Sequence, residues 1–345
     1  GVPAVRPTDA ETYWVHQFRP LPGETLTVSV DRPAPIAGST LAIDEATLES
    51  IVGQRAAEHT LSLALRSTRG GQHALTVPAE AEILEVKVDD TVLNIRPERG
   101  VLTIPVHPGA QRVVTRFREA RGARGGWLYR MPAVDLGAAA SNLQLVLQLP
   151  EGRWLLATSG APVGPAVLFW GELVVMILAA VLLGRIVAKQ PMGSKEGLPL
   201  STRQWVLLGL GFATASWIAL AVVVAWLLAL EARRRFDPLA TSWWRFDIVQ
   251  LALVGLTFAA IGCLFYAVPR GLLGSPDMHV AGNGSTAHQL RWFADRTAGP
   301  LPAASALTLP LLVFRLALLA WALWLATAVV RWLRWAYACL TLGGG

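Results

Sequence analysis

From residue 1 to about residue 160, apolar side chains recur at every second position in short runs broken by Pro and Gly. That period puts one side of an extended chain into a core and the other into water, so each run predicts a strand. Seven runs stand out: Thr25 to Val30, Thr60 to Leu65, His73 to Val77, Ile83 to Val88, Val101 to Val106, Arg112 to Phe117 and Leu143 to Leu149. Asp89-Asp90, Pro97 to Gly100 and Pro108-Gly109 supply turn chemistry between them. The stretch Ala46 to Ala57 reads as a short helix or an irregular edge. The expected unit over 1–160 is an N-terminal antiparallel β-sandwich domain.

Beyond residue 160 the two-residue period disappears. Continuous apolar stretches occupy about 166–187, 205–230, 248–268 and 308–330, near or above the roughly 20 residues a helix needs to cross hydrocarbon. Four in succession predict a four-helix transmembrane bundle over 161–345, and so an α+β membrane protein rather than a soluble one with buried helices. Trp170, Trp205, Trp243, Trp244, Trp332 and Trp335 lie near the ends of these stretches, where indoles settle at the headgroup level. Gly209, Gly211, Ala213 to Ser216 and the Gly255 to Gly262 segment offer small surfaces for close helix approach. Trp321, Trp324, Trp332 and Trp335 form an aromatic stripe, read as a packing or lipid-facing surface rather than a pigment or quinone site.

Charge sharpens the division. Before Pro165 there are 16 basic and 17 acidic residues, and from Pro165 onward 14 and 7, so the formal excess of +6 belongs to the apolar half. Basic residues that flank apolar helices fit lipid phosphates and the positive-inside bias, which argues against nucleic acid as a partner. Four crossings leave basic residues on both sides: Arg185, Lys189, Lys195 and Arg203 after the first, Arg233, Arg234, Arg235 and Arg245 after the second. The count therefore does not orient the chain. Cys263 and Cys339, the only cysteines, lie in or beside apolar segments and form no disulfide framework. Because residue 1 is Gly and no leader precedes the strands, the chain is expected to be a mature or truncated product, the C-terminal part of something longer.

Arg66 to His73 (RSTRGGQH), the LTVP that follows and VLTIPVHPGAQ resemble the β-rich segment of large proteobacterial cell-envelope proteins. Gly164 to Glu172, Pro276 to Ser285 and Leu290 to Arg296 extend the likeness over most of the chain. The resemblance implies a bacterial inner-membrane, multi-pass architecture with a periplasmic N-terminal domain. It brings no catalytic residues with it.

Besides Arg185, two residues from the end of the first stretch, two charges fall inside the apolar stretches. Glu172 and Arg315 are costly there unless paired, solvated or able to snorkel, and an ion pair locking two helices is the specific reading. Snorkelling to the interface is the bland alternative. An ion path would require more polar positions along several helices than the sequence offers. The 269–307 segment reads as a long loop that lies on the membrane or docks on a partner, with Asp277, His279, Asn283, His288, Trp292 and Asp295 as its candidate contact residues. The His and Asp spacing matches no metal signature, and Gly282-Asn283-Gly284-Ser285 is a turn. Arg66 to Gly71 is a hairpin or bulge with no helix behind it to form a phosphate site. No nucleophile elbow, HExxH, P-loop or dinucleotide fingerprint occurs.

These readings converge on a non-catalytic envelope protein. The expected role is scaffold, assembly or accessory subunit, contacting membrane lipid and other envelope or membrane proteins, with no cofactor and no metal. A transporter or channel component using Glu172 and Arg315 is the alternative, and a membrane-embedded metal-dependent enzyme using His279 and His288 the third.

Overall fold

The computed structural model describes residues 4–5, 17–18, 21–25, 27, 40–123, 126–189, 200–213, 217–234, 243–274 and 276–341. Gly1–Thr40 and Leu41–Gly345 are separate compact units. In the first, β1 (Ala4–Val5) pairs antiparallel with β2 (Gln17–Phe18). The strand expected over Thr25 to Val30 lies mostly outside the described residues.

The second unit opens with β3 (Leu41–Val52), β4 (Ala57–Ser67), β5 (Gly71–Thr76), β6 (Glu82–Val88), β7 (Thr91–Leu93), β8 (Val101–Val106) and β9 (Gly109–Glu119). It continues with β10 (Leu128–Arg130), β11 (Ala140–Gln148), β12 (Arg153–Ser159) and β13 (Ala166–Val167). Strands β14 (Val280–Ala281), β15 (Gln289–Thr297) and β16 (Ser305–Pro310) come from the second half of the chain.

Among the described residues, seven strands form one sheet in the order β15-β11-β3-β4-β9-β6-β7, and β10-β16-β12 and β5-β8 form smaller sheets. The core joins Leu61, Leu63 and Phe117 of the large sheet to Leu102 of β8, Leu155 of β12 and Ala306 of β16. Alternation decides which face goes inward: from Ala57 to Leu65 in β4 every odd-numbered residue is buried. Asp89 and Asp90, both at positive φ, close the β6–β7 hairpin, as a tight two-residue turn requires.

Three expectations need correction here. Ala46 to Val52 is neither helix nor irregular edge; it belongs to β3, with a bulge between Ile43 and Glu45. The sheet is not wholly antiparallel, because β11 pairs parallel with β3, a register reached through the long crossover between them. The 269–307 segment is not a free loop. β15 extends the large sheet by pairing with β11, and β16 is the centre of its own sheet, between β10 and β12.

The four-helix bundle is corrected as well. Among the described residues there are five helices: α1 (Phe169–Lys189), α2 (Thr202–Phe212), α3 (Trp217–Arg234), α4 (Trp243–Leu273) and α5 (Leu311–Thr341). Among the described residues, three segments are long and apolar enough to cross a membrane: Phe169–Val187, Asp247–Pro269 and Leu311–Thr341. The chain is thus a multi-pass membrane protein. The apolar run at 205–230 is split between α2, only 11 residues long, and α3, which ends on Glu231, Arg233 and Arg234. The run at 308–330 starts later than expected, since Thr308 to Pro310 are strand.

The directions of the helices follow from their contacts. α1 leaves the sheets at β13 and α5 leaves them directly from β16, while α4 returns to them, since Met278 just beyond it accepts the Phe169 N–H. α2 runs back along α1, with Thr202 beside Gly184 and Gly209 beside Met176 and Ala180. α3 is antiparallel to α4, because Trp226 Nε1 donates to Thr257 Oγ1 at 3.0 Å and Arg233 Nε to Gln250 Oε1 at 3.4 Å. α2 therefore runs toward the sheets and α3 away from them, a helical hairpin with both open ends at the far side. α2 stops at the level of Trp321, ten residues or about 15 Å along α5, roughly half of a 30 Å hydrocarbon layer.

Packing redistributes the tryptophans. Trp205, Trp332 and Trp321 are buried between helices rather than in an interfacial belt. Gly211 lies flat against the Trp321 ring, whereas Gly255 and Gly262 face open space and bring no helix close.

Candidate functional site

Three of the expected site residues meet where the sheet becomes the helices. β13 and β14 pair with Val167 opposite Val280, and the ladder runs on through the Leu168 N–H to the His279 carbonyl oxygen and the Phe169 N–H to that of Met278, both at 3.3 Å. This sets His279 beside the first turn of α1. Glu172, one turn on, meets His279 Nδ1 with both carboxylate oxygens at 2.8 Å. Asp277 Oδ1 accepts the His279 backbone N–H at 2.9 Å, which supports the left-handed backbone (φ 46°) at His279, and Asp277 Oδ2 lies 3.6 Å from Nε2.

The imidazole thus stands between two carboxylates. Glu172 also lies in the first turn of α1, where a negative charge suits the helix dipole. All three side chains are exposed, so the cluster is a solvated clasp of small energetic weight. Among the described residues no group of three or more His, Cys, Asp and Glu has metal-holding geometry.

An apolar clasp lies beside it. Trp154 Nε1 approaches Met278 Sδ at 3.0 Å, its ring stacks at a tilt on Phe314 of α5 with centroids 5.1 Å apart, and Trp170 Nε1 donates to the Leu156 carbonyl oxygen at 2.6 Å. The sheets are fastened to α1 and α5 without a linker.

The other expected residues go elsewhere. No ion pair joins Glu172 to Arg315 among the described residues; Arg315 is exposed one turn into α5. Trp292 is a core residue of β15, packed so closely on Gly164 that a side chain there has no room. Asn283 is buried at positive φ, with its amide directed at the Arg291 carbonyl oxygen. His288 gives its carbonyl oxygen to the Leu149 N–H, no hydrogen bond links it to His279, and Asp295 is exposed.

A second polar group was missed in the sequence because its members lie on three strands. Ser50 of β3 and His59 of β4 are cross-strand partners, with Ser50 Oγ 2.8 Å from Nδ1, and His59 Nε2 is 3.4 Å from Glu119 Oε2 of β9. The tautomer with its proton on Nε2 suits both neighbours. The His59 N–H holds the Glu119 carboxyl below its ordinary range, with burial opposing. At 3.4 Å the contact is long for a hydrogen bond, so charge and dipole carry more of it than a well-aligned bond does.

This line has the residue types of a hydrolytic triad, but Ser50 is fully buried within a strand. Nearby, a cavity of about 30 Å³ between Tyr129, Arg121, Arg153 and Thr308 has room for one water and no acyl substrate. Burial pushes the Tyr129 hydroxyl up and the Arg153 guanidinium down. The cluster is a structural polar network.

No family model matches the chain, and no curated protein matches it. Similar solved structures include the M1 zinc metallopeptidase from Deinococcus radiodurans, at 10% identity and a TM-score of 0.28, over 36% of this chain and 35% of that one. Native leukotriene A4 hydrolase from Saccharomyces cerevisiae matches at 11% identity and 0.27, over 39% of this chain and 28% of that one. The chain spans about a third of these proteins. Likeness at this level carries no argument about activity.

Proposed function

We propose that this chain is a non-catalytic accessory subunit of a bacterial inner-membrane assembly, which presents its sheet domain on the periplasmic side as a rigid docking body. The observation that carries the reading is the seamless join: β16 ends at Pro310 and α5 begins at Leu311, so force or position at the sheet passes directly to the membrane helices. The full burial of Ser50 within its strand, together with the exposed Glu172–His279 clasp, favours a structural role over transport or hydrolysis.

The hairpin supports the orientation. With α2 and α3 both opening at the far end, Arg185, Arg203, Arg233, Arg234, Arg331 and Arg334 gather at the helix ends away from the sheets. The positive-inside bias then favours a cytoplasmic far end and a periplasmic sheet domain.

Mild extraction from native membranes followed by native electrophoresis tests the role. The subunit reading expects the chain to migrate in an assembly well above its own 37.1 kDa mass and to leave it when Trp154→Ala loosens the sheet–helix joint. Recovery of only an isolated chain that turns over a substrate overturns the reading.

A further inference from the structure

The register of the strands decides which loops of the sheet domain meet the membrane. β16 ends at Pro310, opposite Arg153, and the Leu311 N–H that opens α5 donates to the Gly152 carbonyl oxygen. Ile51 near the end of β3 lies opposite Gln148, the last residue of β11, and Ala57 at the start of β4 lies opposite both Val52 and Glu119, the last residue of β9. The chain that follows β9 therefore returns at the end of the sheets from which α5 leaves, where the Trp127 carbonyl oxygen accepts the Thr308 N–H. Depth follows from α5 itself. Leu311 to Val330 is about 30 Å of helix, the thickness of the hydrocarbon, and Arg331 comes next. Leu311 thus marks the hydrocarbon edge, and Arg153 and Trp127 lie within three residues of it along β16, about 10 Å or less above. The headgroup layer is about 6 Å deep on each side, and an arginine or indole side chain spans the remainder.

What gathers at this level is suited to phosphate. The Arg153 guanidinium gives its hydrogen bonds only to neutral oxygens, Nε to Thr308 Oγ1 at 3.0 Å and Nη2 to the Thr308 and Gly126 carbonyl oxygens at 3.2 and 2.5 Å. Burial alone acts on its charge, and a partly desolvated cation favours an anion beside it. Arg121 lines the same small cavity, with exposed Gly126 and Leu128 at the rim. Among the described residues no carboxylate, Glu151 of the adjoining turn included, is within ion-pair distance of either arginine. Trp127 is 67% exposed and Leu128 beside it 46%; an indole so bare settles at a membrane–water interface. We propose that this rim docks on the membrane that α5 enters, with the phosphate of an anionic glycerophospholipid between Arg121 and Arg153 and the Trp127 indole in the headgroup layer. This rests on the multi-pass reading and adds a lipid-facing surface to its sheet domain.

A nitroxide on Gly126→Cys, where a Cβ meets nothing within 4 Å, tests it in the full chain with Cys263 and Cys339 replaced. The readout is collision with an aqueous nickel chelate in vesicles of phosphatidylcholine carrying increasing phosphatidylglycerol. Asp90→Cys in the β6–β7 turn is the water reference and Leu312→Cys, 64% exposed on α5, the lipid reference. The Gly126→Cys label is expected to become shielded as phosphatidylglycerol rises, while the Asp90→Cys label stays open. Arg121→Gln should raise the phosphatidylglycerol fraction for half shielding about fivefold, and Trp127→Ser should reduce shielding at every composition. Inorganic phosphate added to phosphatidylcholine vesicles should not shield the label. A Gly126→Cys label as open as the Asp90→Cys label, indifference to Arg121→Gln, or shielding by inorganic phosphate alone overturns the proposal. A Leu312→Cys label open to nickel overturns instead the membrane entry of α5 beneath it.

Discussion

The indole N–H of Trp321 in α5 donates to the carbonyl oxygen of Leu207 in α2 at 2.8 Å, across 114 residues of sequence. With Phe212 set edge-on against the same ring and Gly211 flat beneath it, this contact fixes the depth at which the hairpin ends. Trp321→Phe keeps an aromatic ring but removes the pyrrole N–H and its hydrogen bond, and should cost about 1 kcal/mol. Trp321→Ala should cost about 3–5 kcal/mol through the cavity it leaves. Thermal unfolding in detergent measures both.

Glu172 and His279 form an exposed pair, so Glu172→Gln should change stability by less than about 1 kcal/mol. The same experiment separates this account from one in which Glu172 is buried against Arg315, for which removing one partner costs about 3–5 kcal/mol.

The Glu119 carboxyl lies below its ordinary value of 4.5 in the folded protein. A depressed carboxylate contributes stability that is complete above the unfolded value and is lost as pH falls through the folded one. Acid should therefore destabilise the sheet domain, and Glu119→Gln should flatten the fall in Tm between about pH 6 and pH 3. An unchanged slope contradicts the coupling to His59.

Trp292 sits 1% exposed among Leu290, Ala304 and Leu155. Trp292→Ala should cost about 3–5 kcal/mol, and Gly164→Val should also destabilise because its side chain meets the ring. Chemical denaturation of the full chain in detergent checks both; a neutral result would return Trp292 to the surface role its sequence context implied.

Much of the fold is legible where one local signal decides. Thr60 to Leu65 alternates cleanly and is strand, and the apolar runs in α1, α4 and α5 are long enough to identify themselves. The run at 205–230 misleads because hydropathy records composition and not direction: Gly209, Gly211 and Ala213 give no sign that the chain reverses. β15 is hidden for another reason. In Gln289–Thr297 only Leu290 and Trp292 are deeply buried, and the strand is made by β11, more than 140 residues away. The site divides in the same way. His279 and Asp277 were visible as neighbours, but Glu172 reaches them only through the β13–β14 pairing, and Ser50, His59 and Glu119 come together only through the register of three strands.

The central claim is that α2 and α3 enter and leave the membrane on one side. Single cysteines at Ser201 and Arg234, in a chain with Cys263 and Cys339 replaced, can be probed in sealed, oriented vesicles with an impermeant maleimide, with Asp90→Cys in the β6–β7 turn as the marker of the sheet side. The hairpin requires Ser201 and Arg234 to be labelled from the same face and Asp90 from the opposite one. Labelling of Ser201 and Arg234 from opposite faces would mean that 205–230 crosses fully, and would contradict the account.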